Sequence, residues 1–420
     1  MEKVVGMSFG RMEVKPGDLQ RELRRVWREA AQLDEKTASK GSAGSPRVRA
    51  VLSNFIILVS DLKNDAERRA VDALITELCL SYPSRFFIIG HSDSVNGIRT
   101  AVSSRCVRAN SGAHVCSEEV YIEVARSSVA VSPNLLLSLL VPDVPVFLKL
   151  PGVALPNGNG KEPLNPVLEL FSSVIRFCDR IIYDSAEIGN YAAAHEFLFR
   201  LVAPGSGDGC ADGELSSVGF SEYRLSHRSR LIDLNWIRAL TWRTAIAEWF
   251  EQPAWAAALP NLTQVHFDFC AETPSQGQSI IGEALLLGAW LGSKLTLSVS
   301  AAELRNSDRA CIRGKRDDGS EVVFEFRRLP LESGQAPTLL EVRFAIRSNE
   351  PALVVSFHPE SQGLKLSAQG KGDNLSSGEM FIRYPRLSSD ELLLSYLKDP
   401  IVMAEFKETV EIAAEFAKQK

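Results

Sequence analysis

The sequence has little of what several classes of protein require. Basic residues do not dominate it, since 47 lysines and arginines stand against 52 aspartates and glutamates and the formal net charge is −5. Nucleic-acid binding depends on clustered basic side chains that neutralise phosphates, so we expect no nucleic-acid partner. No segment reaches the roughly 18 uninterrupted apolar residues that span a bilayer, and residues 1–18 lack the apolar stretch of a signal peptide. We therefore expect a cytoplasmic protein without membrane contact.

Cysteine and histidine are also sparse and poorly placed for chemistry. The seven cysteines are odd in number, widely spaced and without a Cys-x-x-Cys pair, so the sequence predicts no disulfide framework and no redox pair. We interpret Cys116 as a packing residue. The six histidines show no spacing typical of a metal site. The sequence therefore predicts no metal site and no cofactor.

Three short motifs resemble catalytic or phosphate-binding sites, but each lacks the required context. Ser92 follows a predicted strand, as in a nucleophile elbow, yet Ser94 stands where that motif has glycine. The residues after Ser94 favour a turn and a strand, whereas the motif requires a helix. The glycines of residues 156–163 and 203–219 do not lie between a strand and a helix. We therefore predict no catalytic residue, and a serine hydrolase that uses Ser92 is the weaker alternative.

Residues 48–202 show the pattern of an open α/β sheet domain. Residues 54–60 and 85–90 are short continuous apolar runs, typical of strands that are covered on both faces. Leu74 and Leu78 lie between them on an apolar helical stripe, so this segment predicts a strand, a helix and a parallel strand. Asn64, followed three residues later by Glu67, is the predicted N-cap of this helix. Further strands are predicted at residues 120–124, 144–150 and 180–184, and a helix is predicted near residues 194–201.

The remaining segments complete the predicted domain organisation. Residues 1–47 are predicted as an N-terminal helix and a linker, and residues 203–220, which are rich in glycine, as a flexible linker. Residues 221–420 are predicted as an α+β domain that closes with helices near residues 390–397 and 403–417. There residues 341–347 alternate between apolar and polar, and Asp318–Gly319 is typical of a hairpin turn. The predicted fold class is α/β, with an open α/β sheet domain followed by an α+β domain whose sheet is largely antiparallel.

The segment DLNWIRALTWR, residues 233–243, is the most unusual in the chain. Its two tryptophans and two arginines are followed by two more tryptophans, Trp249 and Trp255. On a continuous helix the large side chains would form two stripes. One stripe is enough to pack the helix against a core, and the second places Arg238 and Trp242 where they can stack. Because tryptophan and arginine are enriched at binding hot spots, this stripe predicts a partner-binding surface. The alternative is that the segment holds the two domains together.

This segment also resembles the D-L-[NST]-W-x-R-x-x-x-W-R signature of the glucose-6-phosphate dehydrogenase assembly protein family, OpcA. Six further blocks resemble the family in the same order: RVRAVLSNFIILVSD, SYPSRFFII, HVCSEEVYIEV, LLVPDVPVFLKLPG, CDRIIYDSAEI and GAWLGSKLTL. The resemblance covers roughly residues 47–300. The seven blocks together, in this order, are more specific evidence than any single block. Lys149 and Leu150 depart from the family, which usually has tryptophans at this point.

The resemblance implies a non-enzymatic partner of glucose-6-phosphate dehydrogenase. Such proteins act as assembly factors and allosteric activators of that enzyme in the oxidative pentose phosphate pathway. The residues that we predict to bind the partner are Asp233, Asn235, Trp236, Arg238, Trp242 and Arg243. The main alternative is a sensor of a sugar phosphate or nucleotide, which would use the open ends of the parallel strands.

Overall fold

The computed structural model describes residues 7–26, 28, 47–60, 62, 64–109, 112–151, 167, 169–170, 174–187, 230–271, 280–306, 308–331, 337–346, 351–358, 361–369, 377–398 and 404–417. The strands in these residues form two sheets, which we call sheet 1 and sheet 2. Sheet 1 is rich in parallel pairs, and sheet 2, which follows it in the chain, is mostly antiparallel. The predicted fold class is therefore confirmed.

Sheet 1 has the strand order of dinucleotide-binding proteins. Its strands are β1 (Met7–Val14), β2 (Arg47–Arg49), β3 (Asn54–Val59), β4 (Arg85–His91), β5 (Ile98–Arg108), β6 (His114–Val124), β7 (Val146–Lys149), β8 (Arg180–Tyr183) and β9 (Arg230–Asp233). The order across the sheet is β1-β5-β6-β4-β3-β7-β8-β9, with β2 paired to β6. The six neighbouring strands β6-β4-β3-β7-β8-β9 are all parallel. If these six are renumbered 1 to 6 in chain order, their order across the sheet is 3-2-1-4-5-6. The order therefore reverses between β3 and β7, the place where doubly wound sheets bind ligands.

Helices cover both faces of sheet 1, which explains its continuous apolar strands. They include α1 (residues 19–26), α2 (Asp65–Ser81) and α3 (Ser132–Leu139). α2 begins as predicted, because the Asn64 side chain accepts hydrogen bonds from the amides of Ala66 and Glu67 and so satisfies two unpaired donors of its first turn.

Sheet 2 follows a group of helices at the centre of the chain. These are α4 (Leu234–Arg238), α5 (Leu240–Phe250), α6 (Pro253–Ala258) and, after β10, α7 (Gly282–Lys294). The strands of sheet 2 are β10 (Leu262–Cys270), β11 (Ser298–Asn306), β12 (Arg309–Lys315), β13 (Glu321–Leu329), β14 (Thr338–Ile346), β15 (Pro351–His358), β16 (Gly363–Ala368) and β17 (Gly378–Arg383). Their order is β11-β12-β13-β10-β14-β15-β16-β17, and only the pair β10–β13 is parallel among these described strands.

Local sequence patterns predicted this sheet well. The turn between β12 and β13 lies at Asp318–Gly319, where Gly319 has a φ of +85° and the Ser320 amide donates to Asp318 Oδ1 over 2.8 Å. Along β14, Val342 and Phe344 are buried and Arg343 lies half-exposed between them. The predicted hairpin and the predicted alternation are therefore both confirmed.

The C-terminal helices tie the two sheets together. α9 (Ala404–Ala417) packs against α7 under sheet 2. α8 (Ser389–Lys398) instead returns to sheet 1, where Leu392, Leu393 and Tyr396 share one apolar cluster with Leu74 of α2 and Ile182 of β8. Both helices were predicted, but the return of α8 to the first sheet was not.

Three strands of sheet 1 were also not predicted: the short β2, β1 and β9. β1 lies in residues 1–47, which were predicted as a helix and a linker, and pairs with β5 as an antiparallel edge strand. β9 comes after residue 220, so sheet 1 includes residues beyond the segment 48–202 assigned to it. β9 has only four residues and runs directly into α4. Its apolar residues were therefore not distinguishable in the sequence from those of the helix. The domain boundaries themselves stay a prediction.

The prediction about cysteines needs a correction. Cys106 and Cys116 form a disulfide, so the interpretation of Cys116 as a packing residue was wrong. The two residues are direct neighbours across the antiparallel pair β5–β6, with Cα atoms 4.0 Å apart. A separation of ten residues gives no sign of this pairing until the hairpin is known.

Some predictions lie outside the described residues. These are the helix expected near residues 194–201 and the linker at 203–220. Within the part of the chain that the structure describes, no helix is long and apolar enough to cross a bilayer. The same residues contain no group of three metal-ligating side chains close enough to hold an ion.

Candidate functional site

The segment 233–243 begins where β9 ends, at the edge between the two sheets. Asp233 is the N-cap of α4, and its Oδ1 accepts a hydrogen bond from the Asn235 amide over 2.9 Å. The same oxygen accepts from the Ser185 amide over 3.0 Å, just after β8. Asp233 is fully buried, so one carboxylate fixes the helix start and joins it to the end of the neighbouring strand.

Arg238, at the other end of α4, forms a buried ion pair with Asp184. Its Nη2 donates to Asp184 Oδ2 over 2.6 Å, and its Nη1 donates to Asp184 Oδ1 over 3.1 Å and to Asn235 Oδ1 over 2.6 Å. Burial alone would raise the pKa of Asp184, but the hydrogen bonds and charge of Arg238 outweigh it and hold the pKa below its ordinary value. Asp184 is thus an ionised, buried anchor at the carboxyl end of β8.

A second carboxylate, Glu283, connects this pair to sheet 2. It lies in the first turn of α7 and accepts hydrogen bonds from the Tyr384 hydroxyl over 3.1 Å and from the Leu339 amide of β14 over 3.2 Å. The Tyr384 hydroxyl also lies 3.2 Å from the Arg238 carbonyl oxygen. Burial raises the pKa of Glu283 and that of Tyr384. Both side chains are therefore held in a low-dielectric environment between the sheets.

α8 completes the arrangement, because the Ser389 hydroxyl donates to Asp184 Oδ2 over 2.6 Å. Elements of both sheets thus meet in one hydrogen-bonded cluster, which we call the polar junction. Its members are Asp184, Asp233, Asn235, Arg238, Glu283, Tyr384 and Ser389. A connected polar network of this kind fixes the relative position of the elements that contribute to it.

The tryptophans of the segment lie in the core beside the polar junction. Trp236 and Trp242 are 1% and 0% exposed, and Trp242 packs edge-to-face against Tyr384 with ring centroids 6.3 Å apart. The predicted stacking partners were wrong. The guanidinium of Arg243 lies 3.2 Å from the ring centroid of Trp236, whereas Arg238 binds Asp184.

The structure brings all six predicted residues together, but in the interior. Asp233, Asn235, Trp236, Trp242 and Arg243 are buried, and the Arg238 side chain is 17% exposed. Their burial supports the alternative interpretation, in which the segment holds the two halves of the chain together. A direct role in partner binding stays a prediction.

The helix N-terminus that follows the first parallel strand of sheet 1 is occupied by the protein's own side chains. In dinucleotide-binding sheets a glycine-rich turn after the first parallel strand leads to a helix whose N-terminus binds the pyrophosphate. Here the corresponding turn, residues 60–64, contains no glycine. Asn64 occupies two of the α2 amides, at 3.0 and 3.3 Å, and the first turn carries the acidic residues Asp65 and Glu67. These carboxylates disfavour a phosphate anion at this helix terminus.

The same turn closes onto its neighbouring strand. Leu62 packs against Gly90 so closely that a Cβ at Gly90 would lie 2.7 Å from Leu62 Cγ. The Ser60 amide donates to Glu67 Oε1 over 2.7 Å. The turn is therefore fixed by its own side chains.

The hydrolase alternative finds no support in the geometry around Ser92. Ser92 is 7% exposed, and its hydroxyl lies 2.9 Å from that of Ser94. The residues after it form a turn and then β5, as the sequence predicted, so the strand-to-helix turn of a nucleophile elbow is not formed.

Comparison with known families decides the family of the chain. One family model, described as the N-terminal domain of a glucose-6-phosphate dehydrogenase subunit, matches residues 75–200. A second, described as the C-terminal domain of the same subunit, matches residues 229–397. Together the two models span more than half of the chain. The chain belongs to the OpcA family.

A curated OpcA relative and several solved structures are also similar. The relative, from Nostoc punctiforme, is named "Putative OxPP cycle protein OpcA" and is 27% identical over 225 residues, which is 52% of this chain. The chain spans only 39% of the length of that relative.

Among solved structures, glucose-6-phosphate 1-dehydrogenase from Mycobacterium avium has a TM-score of 0.48 and 10% identity, covering 87% of this chain and 91% of that one. A 3-ketoreductase from Actinomadura kijaniata, KijD10, has a TM-score of 0.40 and 12% identity, covering 87% and 95%. At these values the structural likeness carries no functional argument.

Sequence analysis missed four of the seven members of the polar junction. Asp184 stands in the block CDRIIYDSAEI, where a carboxylate directly after a buried apolar strand was a usable signal. Glu283, inside an apolar helix, was a second signal of the same kind. Tyr384 and Ser389 had none, because only the folding of distant segments brings them to α4.

Proposed function

We propose that this chain is a non-enzymatic assembly factor and allosteric activator of glucose-6-phosphate dehydrogenase in the oxidative pentose phosphate pathway. Its membership of the OpcA family is the observation that carries the proposal, since both matching models are described as parts of a glucose-6-phosphate dehydrogenase subunit. An activator must bind the active form of its partner more tightly than the inactive form, and that difference in affinity limits the activation.

The occupied N-terminus of α2 supports the non-enzymatic part of the proposal. A dehydrogenase that uses a nicotinamide cofactor needs a place for the pyrophosphate at the first turn of its parallel sheet. In this chain the Asn64 side chain accepts hydrogen bonds from two backbone amides in the first turn of α2, and the acidic residues of that turn disfavour a phosphate anion. The fold is thus that of a dinucleotide-binding sheet, whereas the local chemistry opposes dinucleotide binding.

The six residues predicted to bind the partner fit the proposal in an indirect way. Buried side chains such as Trp242 do not offer their own surface to a second protein. We propose that they hold the two sheets in the relative position that the dehydrogenase recognises. Rigid positioning of this kind lowers the entropy lost on binding and so raises affinity.

The deciding experiment measures the steady-state kinetics of glucose-6-phosphate dehydrogenase from the same organism with and without this protein. The mass of each mixture is measured by light scattering. We expect a higher rate together with a co-eluting complex. Unchanged kinetics and no complex, in both oxidising and reducing buffers, would reject the proposal.

Two variants test the indirect role of the segment. Trp242→Ala removes a fully buried ring and should lower the free energy of unfolding by about 3–5 kcal/mol. Leu240→Ala, at a 37% exposed position in the same segment, is the matched control and should change it by less than about 1 kcal/mol. If Trp242→Ala abolished activation while the melting temperature stayed constant, the tryptophan would contact the partner directly and the indirect role would be wrong.

A further inference from the structure

The open face of sheet 2 carries a depression with an unusual concentration of arginine. The other face of this sheet packs on α7 and α9 through side chains such as Phe267 and Phe326. On the open face, strands β10, β12, β13 and β14 surround a cavity of about 110 Å³. The charged and titratable side chains that line it are His266, Asp268, Arg309, Glu325, Arg327 and Arg343.

Asp268 holds two of these arginines in place. It is 5% exposed, and its Oδ1 accepts from Arg327 Nε over 2.8 Å while its Oδ2 accepts from Arg343 Nη2 over 2.9 Å. No contact within the described residues uses the Nη1 group of either arginine. Asp268 therefore fixes both guanidinium groups and leaves a donor on each for a further anion.

Among the described residues, Arg309 has no such partner. It lies directly across from Arg327 in the antiparallel pair β12–β13, where two like charges repel. Its exposed side chain makes no ion pair or hydrogen bond with the residues that the structure describes. The only other carboxylate lining the depression, Glu325, pairs with His266 Nδ1 over 3.2 Å. Two carboxylates line the depression with its three arginines, and a third, Glu341, borders it and lies 3.4 Å from Arg343 Nε. The charges of Arg327 and Arg343 are thus balanced, and Arg309 supplies the guanidinium that no described carboxylate pairs.

We propose that this depression binds the phosphate group of a small phosphorylated metabolite. Arg309 keeps a whole guanidinium fork, which matches the paired oxygens of a phosphate. Arg327, whose Nε and Nη2 both bind Asp268, and Arg343 each add one further donor. The cavity has room for several water molecules and therefore for one phosphate group. It is smaller than the pockets of about 300–1,000 Å³ that enclose whole ligands. The rest of the metabolite would lie over the open sheet face.

This site would give the protein a way to sense metabolites that goes beyond the assembly function. Sequence analysis placed a possible sensor site at the open ends of the parallel strands. The depression instead lies on the antiparallel sheet, in the other half of the chain. An anion bound there would relieve the repulsion between Arg309 and Arg327 and would stabilise the folded protein.

The test uses the full chain alone, in a buffer free of phosphate and sulfate and at constant ionic strength. Inorganic phosphate, a hexose monophosphate and the unphosphorylated hexose are each titrated by calorimetry and by thermal shift. We expect both phosphates to bind and to raise the melting temperature, and the hexose to have no effect. Arg309→Gln should weaken phosphate binding at least about tenfold, since it removes a charged donor without breaking a contact in the protein.

Arg313→Gln is the matched control. Arg313 lies two residues further along from Cys311 on β12, on the same face as Arg309, pairs with Glu321 and does not line the depression. It should leave phosphate binding unchanged. Absence of binding, or equal weakening by both variants, would overturn the proposal. Because the dehydrogenase is not in the assay, either result leaves the assembly function to its own test.

Discussion

Within the polar junction, Arg238 is the single residue whose contacts should contribute most to stability. It is the only cation that we find within hydrogen-bonding distance of Asp184 in the described residues, and Asp184 is 3% exposed. Removing one partner of a buried ion pair leaves the other charge without compensation. We therefore expect Arg238→Leu to lower the free energy of unfolding by about 3 kcal/mol at neutral pH, measured by chemical denaturation.

The effect of this variant should depend on pH in a definite direction. The pKa of Asp184 is lowered in the folded protein, so its ion pair stabilises the fold above the unfolded pKa of about 4 and is lost as the pH falls. In Arg238→Leu, burial without the arginine would raise the pKa of Asp184. The difference between the two proteins should therefore shrink as the pH falls through that raised pKa and on towards the lowered pKa of Asp184 in the parent protein. A difference that stayed constant down to pH 3 would contradict the assignment.

An exposed pair of the same type is the control for Arg238. Arg68 and Asp65 are 2.8 Å apart at the start of α2, with side chains 49% and 67% exposed. Solvent screens such a pair, so Arg68→Leu should cost less than about 1 kcal/mol. If both variants lost the same free energy of unfolding, burial would not explain the contribution of the Asp184–Arg238 pair to stability.

The two arginines of the segment also show where sequence reasoning reached its limit for single residues. The predicted stacking of Arg238 on Trp242 assumed one continuous helix with a constant turn per residue. In the structure α4 ends at Arg238 and α5 begins at Leu240, with Ala239 at a ψ of −1° between them. This break shifts the second half of the segment around the helix axis. Trp242 therefore enters the core, and Arg243 takes the stacking position.

At the level of elements, the contact between α4 and the start of α7 depends on one glycine. A Cβ on Gly282 would lie 2.9 Å from Asn235 Nδ2 and 3.1 Å from Ser185 Oγ. We therefore expect Gly282→Ala to push α7 away from the polar junction and to cost about 1–3 kcal/mol of unfolding free energy, measured by denaturation. The chain offers a matched control in Gly17, where nothing lies within 4 Å of such a Cβ. Gly17→Ala should be neutral or slightly stabilising, and equal losses in the two variants would contradict the close approach.

The elements that sequence predicted are those whose signals are local. The cap of α2 at Asn64 and the turn at Asp318–Gly319 depend on residues within a few positions of each other. β9 and the disulfide of Cys106 depend instead on strands that are neighbours only in the folded sheet. Their pairing is a tertiary property, and a single sequence does not encode it in any short window.

At the level of the whole molecule, the polar junction and α8 should make the two sheets unfold together. Five of the six tryptophans lie in or next to the elements between the sheets, from Trp236 to Trp290, and all five are buried. Their fluorescence reports on the contact between the halves, and far-UV circular dichroism reports on the strands and helices of both. We expect the two signals to change at the same denaturant concentration. Separate transitions would show that the halves are independent units.

The return of α8 to sheet 1 has a consequence for the synthesis of the protein. Ser389 is 205 residues from Asp184, the residue of sheet 1 that its hydroxyl contacts. At roughly 5–20 residues per second, a ribosome needs about 10–40 s to make the intervening chain. During that time Ile182 and Ile232 lack the helix that covers them in the finished protein. Until α8 has been synthesised, the first half of the protein exposes this apolar surface, which is the kind of surface that chaperones bind.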